Sequence, residues 1–178
     1  MTITINASTS SGLVVTPDNS GSINIQANGV TAFSISASGI VTMPNQPAFY
    51  AATNQGSSNQ GATIVWNQAF LNRGNILNTS TGIFTVPVTG IYSLQSCVRF
   101  NNAGITYVQS YMAKNGTDSL AIGNTNSTLG NPTYTASLIS ATVLLTAGDT
   151  VRVYTQSSAN NNQSISGSES WFSGCLIG

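Results

Sequence analysis

Apolar residues along this chain recur at every second position over short distances, and almost never at the three-and-four spacing of an amphipathic helix. The main runs are "ATIVW", "GIFTVPV", "GIYSLQSCVRF", "ITYVQSYMAK", "TASLISATVLL", "DTVRVYTQ" and "SWFSGCLIG". Period-two alternation in runs of this length predicts half-buried strands. Turns separate them at "NRGN", "PVTG", "KNGTD" and "TAGD", where Gly and Asn tolerate the left-handed backbone of tight reversals. No long segment carries a helical period, although Gln68–Asn72 has room for one turn. Many short strands with regular turns predict an all-β, antiparallel sandwich.

The pattern differs before residue 47. Gly12, Gly21, Gly29 and Gly39 each follow Ser or Asn, and each is followed by a short extended run: "LVVT", "SINIQ", "VTAFSIS" and "IVTM". Strands this short do not bury a face alone. Two readings stay open for residues 1–46: a meander packed on the main domain, or a β-built stem that pairs with copies from other subunits. "TPDN" at 16–19 has one carboxylate and lacks the ligand spacing of a calcium loop, so it reads as a turn. The expected organisation is a glycine-punctuated β stem or anchor over 1–46 and a sandwich over 47–178.

Charge narrows the function. The four basic and four acidic residues cancel, and charged residues are 4% of the chain, against roughly 25% in an average soluble domain. No basic face is available for phosphates, which excludes nucleic acid and anionic membrane surfaces as partners. Hydrophobic residues stand at 40%, so a core forms despite the low charge. Ser, Thr, Asn and Gln supply the solubility, and such a surface meets neighbouring proteins without burying ions. No stretch approaches the ~20 apolar residues of a membrane span. "MTITINASTS" lacks the basic start and apolar run of a signal peptide, so synthesis in a cytoplasm without export is expected.

Catalytic chemistry is scarce. There is no histidine, which removes the commonest general base and metal ligand and any Ser-His-Asp or Cys-His arrangement. No Cys-x-x-Cys spacing offers a zinc site. The carboxylates Asp18, Asp118, Asp149 and Glu169 are the only candidates for a glycosidase pair. Asp149 sits in the Ala-Gly-Asp turn and Asp118 follows Asn115-Gly116, so both read as turn residues. Neither enzymatic activity, nor a metal, nor a cofactor is expected. Trp66, Trp171 and the tyrosines lie within strand runs, which favours core and interface roles over a sugar platform. Sequons at Asn6, Asn78, Asn115, Asn126 and Asn162 follow from the abundance of these residue types. Cys97 and Cys175 are either one bridge or two reduced thiols packed as small hydrophobes.

"TGIFTVPVTGIYSL" at 81–94 resembles the signature of the complement-component-one-q globular heads, a branch of the tumour-necrosis-factor-like jelly rolls. "PAFYA" resembles that family's opening strand, and "WNQAFLNRGN" its following apolar-Asn-Gly stretch. "ASLISATVLLTAGDTVRV" resembles its late strand pair, and "WFSGCLIG" its closing strand. The resemblance covers roughly 47–178 and implies a jelly-roll head in a homotrimer. The closing strand would then lie mid-sheet, one face on the core and the other on the three-fold axis. On that basis Phe172, Gly174 and Leu176 approach the axis, joined by Ser93 and Gln95, while Tyr92 and Leu94 point into the core. Cys97 shares the parity of Gln95, which sets the two sulfurs on opposite faces and implies no intrachain disulfide. Cys175 stands where the family has a bulky aromatic. The collagen-like stalk and acidic calcium loops are absent.

The expected function is therefore non-enzymatic. The first reading is a bacteriophage virion structural protein, a trimeric surface appendage that is either a capsid decoration (cement) protein or a short head or tail fibre. It would be made in the host bacterial cytoplasm, carried on the virion surface, and attached to other virion proteins through residues 1–46. The opening segment resembles the N-terminal segments of phage fibre-type proteins. A second reading is a receptor-binding tail-fibre tip recognising host-surface glycans, with Asn101, Asn102, Asn126, Asn131, Asn160 and Asn161 as ligand-loop candidates. A third is a secreted ligand-binding head of the complement-q type.

Overall fold

The computed structural model describes residues 21–101, 106–126, 134–158, 163–164 and 169–178. The chain divides into two units, Met1–Asn45 and Gln46–Gly178.

In the first unit the described residues form an antiparallel meander of β1 (Ile23–Ala27), β2 (Val30–Ile35) and β3 (Val41–Thr42). Asn28 and Gly29 turn β1 into β2, both with positive φ. The strands are joined laterally by Ser34 Oγ donating to Asn24 Oδ1 at 2.7 Å and Asn45 Nδ2 donating to the Thr31 carbonyl at 2.8 Å. No described residue before Gln46 is fully buried. The expected strand "LVVT" and the "TPDN" turn lie outside the described residues.

The second unit is a sandwich. One sheet runs in the order β12 (Tyr134–Leu145), β9 (Gly90–Asn101), β15 (Trp171–Leu176), β4 (Ala48–Ala52) and β6 (Gln68–Arg73). The other runs β11 (Asp118–Asn126), β10 (Tyr107–Lys114), β13 (Thr150–Ser157), β8 (Ile83–Thr85) and β7 (Leu77–Asn78). A small pair joins β14 (Gln163–Ser164) to β5 (Ser57–Ser58). Every strand pairing is antiparallel. Neighbours distant in sequence, such as β15 between β9 and β4, give the jelly-roll weave. Gln68–Asn72 belongs to strand β6 and not to a helical turn, because its backbone pairs with β4 across a register shift after Tyr50.

Alternation builds the core. In β13 the residues Val151, Val153, Thr155 and Ser157 are buried while Arg152, Tyr154 and Gln156 are not. In β10 the rhythm breaks where Met112 and Ala113 are both buried, and the register with β11 shifts at the same place. Phe49, Trp66, Phe84, Tyr92, Leu94, Phe100, Phe172 and their aliphatic neighbours fill the space between the sheets. Gly82 closes one side of it. Its φ is +73°, and a Cβ there would lie 1.9 Å from the Ile64 carbonyl oxygen, so only glycine fits.

Candidate functional site

Residues directly opposite one another on paired strands share a face of the sheet, so the register assigns each side chain. On the five-stranded sheet, Arg73, Ala48, Cys175, Ser93 and Thr142 form one cross-strand row. Leu71, Tyr50, Ser173, Gln95 and Ser140 form the next, and Ala52, Trp171, Cys97 and Leu138 the one beyond. These rows look away from the core. Ala52 and Cys97 are covered, but Leu138 is 67% exposed in the single chain, as are Leu144, further along β12, at 66% and Phe70, beside Tyr50 on β6, at 69%. Tyr50 stacks on Phe70 with ring centroids 5.5 Å apart and lies 6.2 Å from Trp171. Gln95 borders two shallow depressions of about 300 and 200 Å³, one beside Leu138 and Trp171, the other beside Leu71 and Cys175. The middle of the face carries no charge; Arg73 and Arg99 stand in its outer rows.

Ser93 and Gln95 lie on this outward face, and Tyr92 and Leu94 point into the core. Phe172, Gly174 and Leu176 do not lie on it, which overturns the expectation that they approach an axis. Phe172 is fully buried, 4.8 Å from the Phe49 ring and 5.9 Å from Trp66. A Cβ on Gly174 would stand 2.5 Å from Leu94 and 2.6 Å from Phe49, and Leu176 packs against the same core. The physical reason is register: Gly174 pairs with Leu94 and Phe172 with Ser96, so they share the inward face of β9. The outward residues of β15 are Trp171, Ser173 and Cys175.

The same register corrects the cysteines. Cys97 pairs with Trp171 and Cys175 with Ser93, so both thiols are on one face and not on opposite faces. They are four positions apart along the paired strands, about 13 Å by strand rise, beyond the reach of a disulfide. Both are free; Cys175 is exposed, and burial raises the pKa of the Cys97 thiol.

The candidate ligand loops follow from strand direction. β9, β11 and β13 end, and β10, β12 and β15 begin, at the same end of the sandwich, opposite the entry at Gln46 and the exit at Gly178. Asn101 closes β9 and Asn126 closes β11 at that end; Asn102, Asn131, Asn160 and Asn161 lie outside the described residues. The framework beneath is polar: Asn54 bonds Asn67, Gln55 Oε1 accepts from Val65 N at 3.0 Å, and Arg99 pairs with Glu169 while lying 3.7 Å over the Tyr134 ring.

On the other sheet Tyr111 and Tyr154 stack almost parallel, 4.8 Å apart, with Arg152 over Tyr154. Each ring uses a face on the other, so they form a cross-strand pair rather than an open sugar platform.

Asp149 is a turn carboxylate. Its oxygens accept from Thr146 N at 2.8 Å and Asn115 Nδ2 at 2.9 Å, with Lys114 Nζ at 3.0 Å. The Asn115 and Thr146 hydrogen bonds, then Lys114, lower its pKa to about 2. A depressed carboxylate contributes stability that is present above its unfolded pKa and lost as pH falls through the folded one. Asp149→Asn is therefore expected to be less stable than the parent at neutral pH, with the gap closing between about pH 4 and about pH 2, as followed by denaturant titration at stepped pH. A gap unchanged at the acid end contradicts this role. Among the described residues no cluster of three His, Cys, Asp or Glu side chains could hold a metal, and no helix is long and apolar enough to cross a membrane.

The C1q domain family model matches residues 48–177. No curated protein matches the chain. Among solved structures, Eiger TNF from S. frugiperda superimposes with a TM-score of 0.61 at 15% identity, covering 75% of this chain and 94% of that one. The globular domain of zebrafish complement 1qA does so with a TM-score of 0.60 at 18% identity, covering 75% and 98%. Murine APRIL at pH 8.0 gives 0.58 at 19% identity, covering 74% and 99%. At such identities the likeness is one of fold. The matched span coincides with the sandwich, and the chain belongs to the C1q domain family.

Proposed function

We propose that this chain is a non-enzymatic, trimer-forming recognition head. Three copies associate through the outward face of the sheet containing Gln95, Tyr50 and Leu138, and the loops at the opposite end from Gln46 and Gly178 meet a polar ligand. The observation that carries the reading is that face: Phe70, Leu138 and Leu144 are each about two-thirds exposed around uncharged central rows. Isolated exposed apolar residues are ordinary, but a contiguous patch marks an association surface. The symmetry of a closed trimer hides it in every copy. Native mass spectrometry of the full chain tests this: a single trimeric species supports it, and a stable monomer at micromolar concentration overturns it.

The finer reading is a bacteriophage virion surface protein, a decoration protein or short fibre held to other virion proteins through residues 1–46. Its support is the nearly charge-free, amide- and hydroxyl-rich composition, together with a separate β meander ahead of the head. Binding of host-surface glycans by the Asn-rich loops is the alternative use of the same head. Labelled antibody on purified particles separates them: label over the capsid supports decoration, label at the tail supports a receptor fibre, and unlabelled particles sink the virion reading while leaving the trimer intact.

A further inference from the structure

Two Asn-Gly dipeptides open hairpin turns, a two-residue one between β1 and β2 and a three-residue one between β10 and β11, and they are held very differently. Asn28-Gly29 has φ of 50° and 76°, and Asn115-Gly116 has 49° and 85°. The second pair is fastened on every side. Asn115 N–H donates to the Thr150 carbonyl at 2.8 Å, its Nδ2 to Asp149 at 2.9 Å, and its Oδ1 accepts from Thr150 N at 2.9 Å. The Gly116 carbonyl accepts from Arg152 at 3.0 Å. The first pair has none of this. Both asparagines are exposed and a Cβ on either glycine would meet nothing within 4 Å, but the Asn28 side chain makes no hydrogen bond with any described residue.

We infer that Asn28 is a site of spontaneous deamidation and that Asn115, though also followed by glycine, is protected. The backbone nitrogen of Gly29 attacks Cγ of Asn28; the N–Cγ bond forms, the Cγ–Nδ2 bond breaks, and ammonia leaves, giving a five-membered succinimide. The Gly29 nitrogen loses its proton to solvent base, and ammonia carries the balancing proton away. Water then opens the ring to aspartate or isoaspartate. Glycine favours the closure because no Cβ obstructs the attacking nitrogen. At Asn115 the same attack requires the side chain to leave both Asp149 and Thr150. Breaking two hydrogen bonds, one of them to a carboxylate, slows ring closure by about tenfold or more. Conversion at Asn28 places a negative charge on the β1–β2 turn, in a stretch where residues 21–45 contain no charged side chain.

The test is incubation of the full chain at 37 °C in mildly alkaline buffer, with peptide mapping by mass spectrometry at intervals. Progressive loss of the amide at Asn28, with Asn115 retained, is the expected result. Asn28 staying intact, or Asn115 converting at an equal rate, overturns the inference. Asp149→Ala supplies the second arm, since it removes one of the two contacts that hold the Asn115 side chain, the other being to Thr150. Conversion of Asn115 is then expected to rise several-fold while that of Asn28 is unchanged. No rise at Asn115 in a variant whose circular dichroism matches the parent contradicts the protection argument.

Discussion

Phe172→Ala is expected to unfold the head at temperatures where the parent is fully native. The ring lies between Phe49 and Trp66 and is shielded from solvent. Truncating a buried Phe removes its transfer free energy and leaves a void that close-packed aromatic neighbours only partly fill, at about 3–5 kcal/mol. Against a total stability of about 5–15 kcal/mol, that is a large fraction, and a fall in Tm of roughly 10–20 °C follows. Differential scanning calorimetry measures it, and the discriminating feature is order. Because the residue sits inside one sandwich, secondary structure and oligomer are lost together. A variant that dissociates into well-folded monomers with unchanged Tm would mean that Phe172 faces outward after all. Leu176→Asp belongs to the same class, since its side chain packs on the same core; damage to the fold is expected ahead of any effect on assembly.

Most of the architecture was legible because it is written in short-range signals. Period-two runs gave the strands, and Asn-Gly and Ala-Gly-Asp gave reversals that the structure places at Asn115, Gly116 and Gly148. Which face of the closing strand turns inward was not legible, and the reason is physical. In "WFSGCLIG" both Trp171 and Phe172 are aromatic, and the following positions alternate small residues with aliphatic ones on both parities. Alternation cannot orient a strand whose two faces are both apolar. Only the pairing of Gly174 with Leu94 does so, and register between strands about eighty residues apart is a tertiary fact.

The same ambiguity in "SLISATVLL" carries information about the outer side of β12. Ile139 and Leu145 turn inward and are buried, while Leu138 and Leu144 turn outward and are exposed. A strand apolar on both faces is normally covered on both faces, so the sequence already implied a covering for the outer side of β12. Phe70 is hidden in the sequence for a different reason: Gln68–Asn72 has room for a helical turn, whereas pairing with β4 makes it an edge strand beside Tyr50. The place of Ser93 and Gln95 came from the family resemblance, and "YSLQS", which alternates large and polar residues, fits the outward side on which the structure puts them.

Leu138→Asp is expected to convert the proposed trimer into folded monomers. In the single chain this side chain is 67% exposed, so the substitution there lies within about 0.5 kcal/mol of neutral. In the assembly, three carboxylates enter a surface whose neighbouring cation, Arg99 one cross-strand row away, is already paired with Glu169. Their desolvation is uncompensated, and mutual repulsion raises their pKa values, so acidification restores part of the association. Leu138→Asn, polar but uncharged, should weaken the trimer less and without that pH dependence. Native mass spectrometry reads the state, and Cys175 offers an independent probe. Its thiol is exposed on the same outward face of the single chain. Burial in the trimer then slows alkylation of Cys175, and Leu138→Asp accelerates it. A Leu138→Asp protein that stays trimeric, with Cys175 reacting at the parent's rate, would place the contact between copies on some other surface of the sandwich.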